Sequence, residues 1–258
     1  MPSFFTSRVR PLLHRFGVDV IRHSRPGEPA RVPKDVDGDS LRIFRAVEPY
    51  TMTGAERIFA LVKAVEYIVE AGIPGDFVEC GVWRGGSTMA MALSLLELKD
   101  SERTLHLYDT FAGMNAPTEV DVSLQGEPAE VEFQRTKTSD DTSTWCYSSL
   151  ESVTRNVLGT GYPSNKVRFI EGKVEETIPA HIPEQIALLR LDTDWYESTK
   201  HELTHLFPRL ARHGVLIIDD YGFWAGARKA VDEYLEESGA HILLNRIDGT
   251  GRIGVKID

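Results

Sequence analysis

Residues 186–198 read IALLRLDTDWYES, and in this stretch an aliphatic run meets a pair of acids. Residues 186–191 are apolar apart from Arg190, which predicts a strand buried inside a parallel sheet. Asp192 and Asp194 follow it, spaced by one residue. Carboxylates at the end of a buried strand indicate a partner for their charge: a cation, a hydroxyl group or a proton.

The same strand-then-helix pattern recurs along the chain and defines the fold class. Four further short apolar runs lead into loop or helical patterns and are predicted strands: residues 76–80, 105–109, 167–172 and 214–220. This alternation predicts a parallel sheet with helices on both faces. Residues 241–247 and 252–257 flank an Asp-Gly turn and predict a hairpin. We therefore predict an α/β fold with a doubly wound, mostly parallel seven-stranded sheet and an antiparallel C-terminal hairpin.

Capping signals predict where helices begin and end. The Ser/Thr-x-x-Glu spacing of a capping box occurs at residues 53–56 and 148–151. The first of these helices is expected to stop at Gly72. Later helices are expected at about residues 197–211 and 226–237.

The 258 residues are interpreted as two parts. Residues 1–47 combine an amphipathic segment with a proline-rich stretch, and we predict an N-terminal helical extension and linker that packs on the domain or on a partner subunit. Residues 48–258 form the main domain. Within it, residues 115–147 are polar, acidic and too long for an ordinary connection, so we expect an irregular, variable lid insertion.

Composition argues against several classes of function. The formal net charge of -10 argues against a nucleic-acid partner. No apolar run approaches the ~20 residues that span a bilayer, and the N-terminus lacks the apolar core of a secretory signal. The only cysteines, Cys80 and Cys146, have no disulfide or zinc-site spacing, which indicates a cytoplasmic protein.

Acidic residues finish all five predicted parallel strands, at the edge where open α/β sheets bind ligands. The turn at residues 81–86 is glycine-rich and opens a helix, so it is either a ligand cradle or simply a tight turn. Asp109 ends the next strand, where an acid takes ribose hydroxyls in nucleoside-binding sheets. Together these features favour a nucleoside cofactor.

A second group of acids indicates a metal site. Asp192, Asp219 and Asp220 end two strands that we expect to be neighbours. Three converging carboxylates repel one another, and hard oxygen ligands favour Mg²⁺, Mn²⁺ or Ca²⁺ over zinc.

Five stretches carry a resemblance to a known family: PYTMTGAERIFAL, GDFVECGVWRGGS, LYDTFAGM, LRLDTDWYEST and GVLIIDDYGFWAGARKAVDEY. They resemble the macrocin, mycinamicin and novobiocin sugar O-methyltransferases over roughly residues 48–258. The resemblance implies a class I, Rossmann-like methyltransferase that uses S-adenosylmethionine and a divalent cation, most naturally Mg²⁺. It also implies a small-molecule glycosylated acceptor of antibiotic biosynthesis. From the composition we expect no nucleic-acid or membrane partner, and the sequence leaves open whether the protein forms a homo-oligomer.

The resemblance assigns roles residue by residue. The turn after the first strand would hold the methionine part of the cofactor, Asp109 its ribose, and the segment at Gly172 its adenine. The implied cofactor-binding set is Tyr50, Thr51, Met52, Glu79, Cys80, Gly81, Val82, Arg84, Gly85, Gly86, Ser87, Asp109, Thr110, Phe111, Gly172, Lys173 and Val174. Cys80 is assigned a packing role within that turn. Asp192, Asp219 and Asp220 match the family's metal ligands.

The expected reaction is transfer of a sulfonium methyl group to a sugar hydroxyl. A bound cation lowers the hydroxyl pKa, and Asp192 or Asp194 takes the proton; the sequence leaves open which of them is the base. Two alternatives remain at this point. One is a metal-dependent nucleotide-sugar glycosyltransferase that uses the Asp-x-Asp pair, and the other is a non-catalytic cofactor-binding protein.

Overall fold

The structure is a computed structural model that describes residues 32–257. Its strands are β1 Asp76–Cys80, β2 Leu105–Asp109, β3 Lys137–Ser139, β4 Thr142–Ser143, β5 Val167–Glu171, β6 Ile186–Leu191, β7 Leu210–Ile218, β8 Asn245–Arg246 and β9 Arg252–Val255. Its α-helices are α1 Gly38–Val47, α2 Ala55–Glu70, α3 Gly86–Glu97, α4 Ala129–Thr136, α5 Leu150–Leu158, α6 Val174–Thr177, α7 Tyr196–Leu206 and α8 Ala225–Ser238.

The main sheet has seven strands in the order β5-β2-β1-β6-β7-β9-β8. The first five are parallel, and β9 pairs antiparallel with both β7 and β8. This confirms the predicted sheet and its closing hairpin. All six residues of β6 are buried, because the strand lies between β1 and β7 and helices cover both faces.

The register of the three central strands places the candidate residues together. Cys80 of β1 pairs with Leu191 of β6, and Leu191 pairs with Ile218 of β7. The residues that follow these three positions therefore leave the sheet side by side, at its carboxyl edge. Asp192 and Asp219 are thus neighbours, as the sequence predicted.

Several predicted helix boundaries are wrong by a few residues. Helix α2 is capped by Gly54 without a side-chain bond, so Thr53 is not its N-cap. Helix α5 is capped by Ser149, whose hydroxyl accepts from the Ser152 N–H, one residue later than the predicted box. Helix α7 stops at Leu206, well before residue 211, because a 3-10 turn at Phe207–Arg209 leads directly into β7.

The insertion at residues 115–147 is more ordered than expected. It contains α4 and the small antiparallel hairpin of β3 and β4. Buried Asp121 fixes it to the core, accepting from the Tyr196 N–H at the start of α7 and from the N–H and hydroxyl of Thr118. The insertion is therefore built into the domain.

The compact unit begins at Pro33, before the expected domain boundary at residue 48. Helix α1 belongs to this unit because it packs on α2 and α3 and buries Ile43, Phe44 and Val47. The amphipathic segment predicted at residues 1–24 lies outside the described residues. Within residues 32–257, no helix is long and apolar enough to cross a membrane.

Candidate active site

A cavity of about 430 Å³ opens at the carboxyl edge of the sheet. It brings together most of the residues that the sequence singled out. The predicted residues that line it are Tyr50, Thr51, Met52, Glu79, Gly81, Val82, Gly86, Ser87, Asp109, Thr110, Gly172, Lys173, Val174, Asp192, Asp194, Asp219 and Asp220.

Four members of the predicted cofactor set lie outside this lining. Cys80 is fully buried in the core beneath the sheet edge, which fits the packing role assigned to it. Phe111 is buried edge-to-face against Phe169. Arg84 is exposed and lies over the Trp83 ring at 4.6 Å, and Gly85 faces helix α5.

The glycines of the turn at residues 81–86 serve close packing between chain segments. At Gly81, where φ is +81°, a Cβ atom would overlap the Asp192 carbonyl oxygen. At Gly86, a Cβ would lie 2.6 Å from the Tyr50 carbonyl oxygen. From the sequence alone, these glycines could have served either a close approach of the ligand or a tight turn. The structure shows that they are needed for packing, because a side chain at either position would displace the Tyr50 or Asp192 segment from the cavity wall.

Asp109 holds the glycine-rich turn in place. Its carboxylate accepts from the N–H groups of Val82 at 2.7 Å, Trp83 at 3.0 Å and Phe111 at 2.7 Å. Burial raises the pKa of this carboxyl group, and the three N–H donors oppose that shift. Asp109 is therefore a scaffold for the turn as well as part of the cavity wall.

The acids after β6 and β7 form the cluster predicted from the sequence. One oxygen from each of Asp192, Asp219 and Asp220 lies within 4.8 Å of the others. Removal from bulk water is the largest cause of a raised pKa at Asp192 and Asp220; neighbouring carboxylates add to it and Arg190 opposes it. The cluster is thus short of positive charge.

Arg190 is the main correction to the sequence interpretation, which gave it no role beyond extending the strand. Its guanidinium is buried and donates to Glu79 at 2.8 Å, Asp192 at 2.8 Å and Asp219 at 2.7 Å. Arg57 of α2 pairs with Asp219 as well, and with Asp248 at 2.9 Å. Two guanidinium groups therefore already offset part of the repulsion that was attributed to a metal alone.

Asp194 lies beside the cluster and has a different partner. Its backbone φ of +67° is in the left-handed region, which Asp tolerates better than most residues. Its carboxylate accepts from the Trp224 indole N–H at 2.7 Å. Burial, followed by the charge of Asp192, raises the pKa of Asp194 to about 7.

Sequence reasoning missed two parts of the site. The first is the pair of arginines, although an arginine inside an aliphatic strand is a signal because a buried charge needs partners. The second is an aromatic surface next to Asp194, which includes Trp145, Phe223 and Trp224. The sequence feature that could have revealed it is the pair Phe223-Trp224, three residues after Asp220.

Comparisons with known proteins identify the family of this chain. The family model described as Macrocin-O-methyltransferase (TylF) matches residues 35–253. The chain is 36% identical to 8-demethyl-8-(2,3-dimethoxy-alpha-L-rhamnosyl)-tetracenomycin-C 4'-O-methyltransferase of Streptomyces olivaceus over 202 residues, 78% of this chain and 74% of that protein. It is also 36% identical to mycinamicin III 3''-O-methyltransferase of Micromonospora griseorubida over 203 residues, 78% of this chain and 76% of that protein.

Solved structures support the same grouping. The O-methyltransferase NovP superposes with a TM-score of 0.69 at 31% identity, covering 81% of this chain and 83% of that chain. The calicheamicin methyltransferase CalS11 superposes with a TM-score of 0.54 at 16% identity, covering 92% of this chain and 99% of that chain, and shows the fold alone. Because the family model spans most of its length and the relatives exceed 30% identity, the chain belongs to the macrocin-O-methyltransferase family and is an O-methyltransferase.

Proposed function

We propose that this protein transfers a methyl group from S-adenosylmethionine to a hydroxyl of a sugar attached to a natural product, with the help of a divalent cation. The observation that carries the proposal is one cavity that joins the turn at residues 81–86, Asp109 and the three-carboxylate cluster. Family membership favours methyl transfer over the glycosyltransferase and the non-catalytic alternatives. The sugar acceptor comes from the names of the relatives, which are sugar O-methyltransferases.

The cavity fits a nucleoside cofactor along its glycine-rich side. Gly86 and Ser87 line it at the start of α3, and the first N–H groups of a helix have no partner within the helix and suit a polar ligand. Asp109 lines the same side of the cavity, and we assign the ribose hydroxyls of the cofactor to its carboxylate. We assign the adenine to Gly172, Lys173 and Val174, and the cover over the cofactor to Tyr50, Thr51 and Met52.

The acidic cluster fits a divalent cation by its donor chemistry. Asp192, Asp219 and Asp220 offer hard carboxylate oxygens, and the neighbouring arginines leave the acids in excess. These residues would hold Mg²⁺ or Mn²⁺. When bound there, such a cation lowers the pKa of a coordinated hydroxyl group and fixes its position.

The protein's own residues then complete the reaction. The acceptor oxygen forms a bond to the methyl carbon, and the electron pair of the breaking carbon–sulfur bond leaves with the sulfur. Asp194 is our choice for the carboxylate that takes the hydroxyl proton, because Asp192 belongs to the ligand cluster and is tied to Arg190. Trp224 orients Asp194 through its indole N–H.

Mass-spectrometric assay of methyl transfer to a panel of neutral glycosides, with catechol and UDP-glucose as controls, tests the proposal. We expect transfer to at least one glycoside, its loss after exhaustive chelation, and its recovery with Mg²⁺ or Mn²⁺. Calorimetry should detect S-adenosylhomocysteine binding in the chelated protein. Methylation of catechol but of no glycoside would reject the sugar acceptor, and full turnover in chelated protein would reject the cation. Cytoplasmic location and homo-oligomerisation remain predictions.

A further inference from the structure

An aromatic wall forms one side of the cavity beside the acidic cluster. We define it as Trp145, Phe223 and Trp224, backed by Trp195. The Trp145 and Trp224 rings are 6.1 Å apart, and each meets Trp195 edge-to-face, at 5.6 Å and 5.2 Å. Phe223 stands at 86° to Trp224 with ring centres 4.9 Å apart.

Hydrogen bonds set the position of the aromatic wall relative to the acids. The Asp220 carbonyl accepts from the N–H groups of Phe223 at 2.9 Å and Trp224 at 3.0 Å, so acid and aromatic rings share one turn. The Phe223 carbonyl accepts from Leu124 of the insertion at 2.9 Å. The Trp224 indole N–H reaches Asp194, which joins the wall to the proposed base.

The side chain of Phe223 has apolar surface that the rest of the described protein does not cover. Its side chain is 42% exposed although its backbone is fixed from both sides, whereas Trp224 is only 7% exposed. An aromatic ring presented at a cavity next to polar groups is typical of a ligand site. The wall thus offers apolar contact directly beside groups that bind hydroxyls.

The protein's own charges disfavour a strongly anionic acceptor on this side of the cavity. The cationic side chains that line it among the described residues are Arg57, Arg190 and Lys173. Each is already paired with a carboxylate: Arg57 and Arg190 with the acids named above, and Lys173 with Asp141. Apart from the proposed divalent cation, a diphosphate would therefore meet excess negative charge and no unpaired cationic side chain among the described residues of the lining.

We propose that the aromatic wall is the acceptor subsite and packs against the C–H face of a neutral pyranoside ring, whose hydroxyl edge is turned to Asp194 and the acidic cluster. A pyranose ring combines an apolar face with a polar rim, and the wall and the acids present the complementary surfaces. This inference rests on the proposed function, since it assumes a sugar acceptor. It assigns substrate positioning to Phe223 and Trp145, which no chemical step requires.

The test uses the full-length protein and methyl α-L-rhamnopyranoside as the probe. Phe223→Ala is the main variant because its side chain is already exposed, and Trp145→Phe is a second, more conservative one. Tyr67→Ala, an exposed aromatic residue of α2 outside the cavity lining, is the matched control. We expect Phe223→Ala to raise KM for the glycoside about tenfold, equal to ~1.4 kcal/mol of lost binding, with kcat and S-adenosylhomocysteine affinity nearly unchanged.

A second measurement needs no turnover. Saturation-transfer difference NMR of the probe, with S-adenosylhomocysteine and Mg²⁺ present, should show saturation at the ring C–H protons in wild type and in Tyr67→Ala. Phe223→Ala should lose most of it. The acyclic analogue L-rhamnitol, which has hydroxyl groups but no ring face, should give a much weaker signal.

The outcomes separate this inference from the function on which it rests. Methyl transfer to glycosides with an unchanged KM in both wall variants overturns the subsite and leaves the proposed function standing. Phe223-dependent C–H saturation without transfer to any glycoside supports the subsite and rejects the function. The inference is overturned if the probe receives no saturation from the wild-type protein. It is also overturned if the wild-type protein methylates thymidine diphosphate rhamnose in preference to the probe.

Discussion

Arg190 shows how one residue can set the electrostatics of a site. It stands in a strand whose other five residues are aliphatic, and its guanidinium is only 2% exposed. A buried charge of this kind costs solvation free energy, which its three carboxylate partners offset. Removal of the guanidinium would leave Glu79, Asp192 and Asp219 facing one another with only Arg57 in reach of Asp219.

We predict that Arg190→Met lowers the free energy of unfolding by about 3–5 kcal/mol, because it leaves uncompensated buried carboxylates. Urea denaturation followed by circular dichroism measures this. Arg42→Met is the matched control: Arg42 also pairs with two acids, but 59% of its side chain is exposed, so water screens these pairs and a much smaller loss is expected. Equal losses in the two variants would contradict the central role of Arg190.

A second residue-scale prediction separates the base from the cation ligands. Asp194→Asn should lower kcat by roughly 10²- to 10⁴-fold, the range for loss of a general base, while Mn²⁺ affinity stays close to wild type. Asp192→Asn should weaken Mn²⁺ binding together with turnover. Electron paramagnetic resonance of free Mn²⁺ gives the affinity independently of activity. If Asp194→Asn turns over at a near-normal rate, Asp192 becomes the stronger candidate for the base.

At this scale the sequence predicted the acids better than their partners. Asp192, Asp219 and Asp220 could be brought together because they end neighbouring strands of one sheet, and strand ends are readable from alternation. The pairing of Arg57 with Asp219 joins residues 162 positions apart, one on helix α2 and one directly after strand β7. Such contacts depend on how α2 lies across the sheet edge, which no local pattern encodes.

At the scale of elements, Asp121 explains why the insertion is part of the domain. It is fully buried and accepts three hydrogen bonds, one of them from the first N–H group of α7. The packing around it is close, since a Cβ added at Gly226 of α8 would overlap the Asp121 carboxylate. One acid thus joins the insertion to the starts of α7 and α8.

We predict that Asp121→Ala costs about 1–2 kcal/mol of stability through loss of the helix cap and frees the insertion from the core. Limited proteolysis should then cut within residues 115–147 faster than in wild type. Asp140→Ala is a suitable control, because Asp140 belongs to the same insertion but its side chain is fully exposed. Unchanged cleavage rates in Asp121→Ala would show that other contacts hold the insertion.

The sequence predicted element types well and element limits less well. Strands β1, β2, β5 and β6 lie within a residue of their expected bounds, since apolar runs end where the chain leaves the sheet. Strand β7 begins four residues before the expected Gly214. Leu210 and Ala211 continue the helical pattern of α7 in sequence, and only Pro208 marks the break. These residues form a strand because β7 pairs with β6 in the folded sheet.

At the scale of the whole molecule, the position of α1 determines where the stable domain starts. Asp37 caps this helix, accepting from the Ser40 N–H at 2.8 Å, and forms an ion pair with Lys63 of α2 at 2.7 Å. Ile43, Phe44 and Val47 are buried, each with 2% exposure or less. The helix therefore closes the core next to the segment at Tyr50, Thr51 and Met52.

We predict that a chain starting at residue 33 keeps the thermal midpoint and S-adenosylhomocysteine affinity of the full-length protein. A chain starting at residue 48 should lose both, because it exposes the surface of α2 and α3 that α1 covers. The three buried side chains contribute about 1.5–3 kcal/mol each by burial, a large share of the stability of a single domain. Differential scanning fluorimetry and calorimetry measure the two properties, and Ile43→Ala in the full-length chain supplies an intermediate case. Equal midpoints for the two truncated chains would move the domain boundary back to residue 48.

Sedimentation of the chain that starts at residue 33 tests the separate prediction for the N-terminal segment. A change in the number of subunits relative to the full-length protein would assign residues 1–32 to subunit contacts.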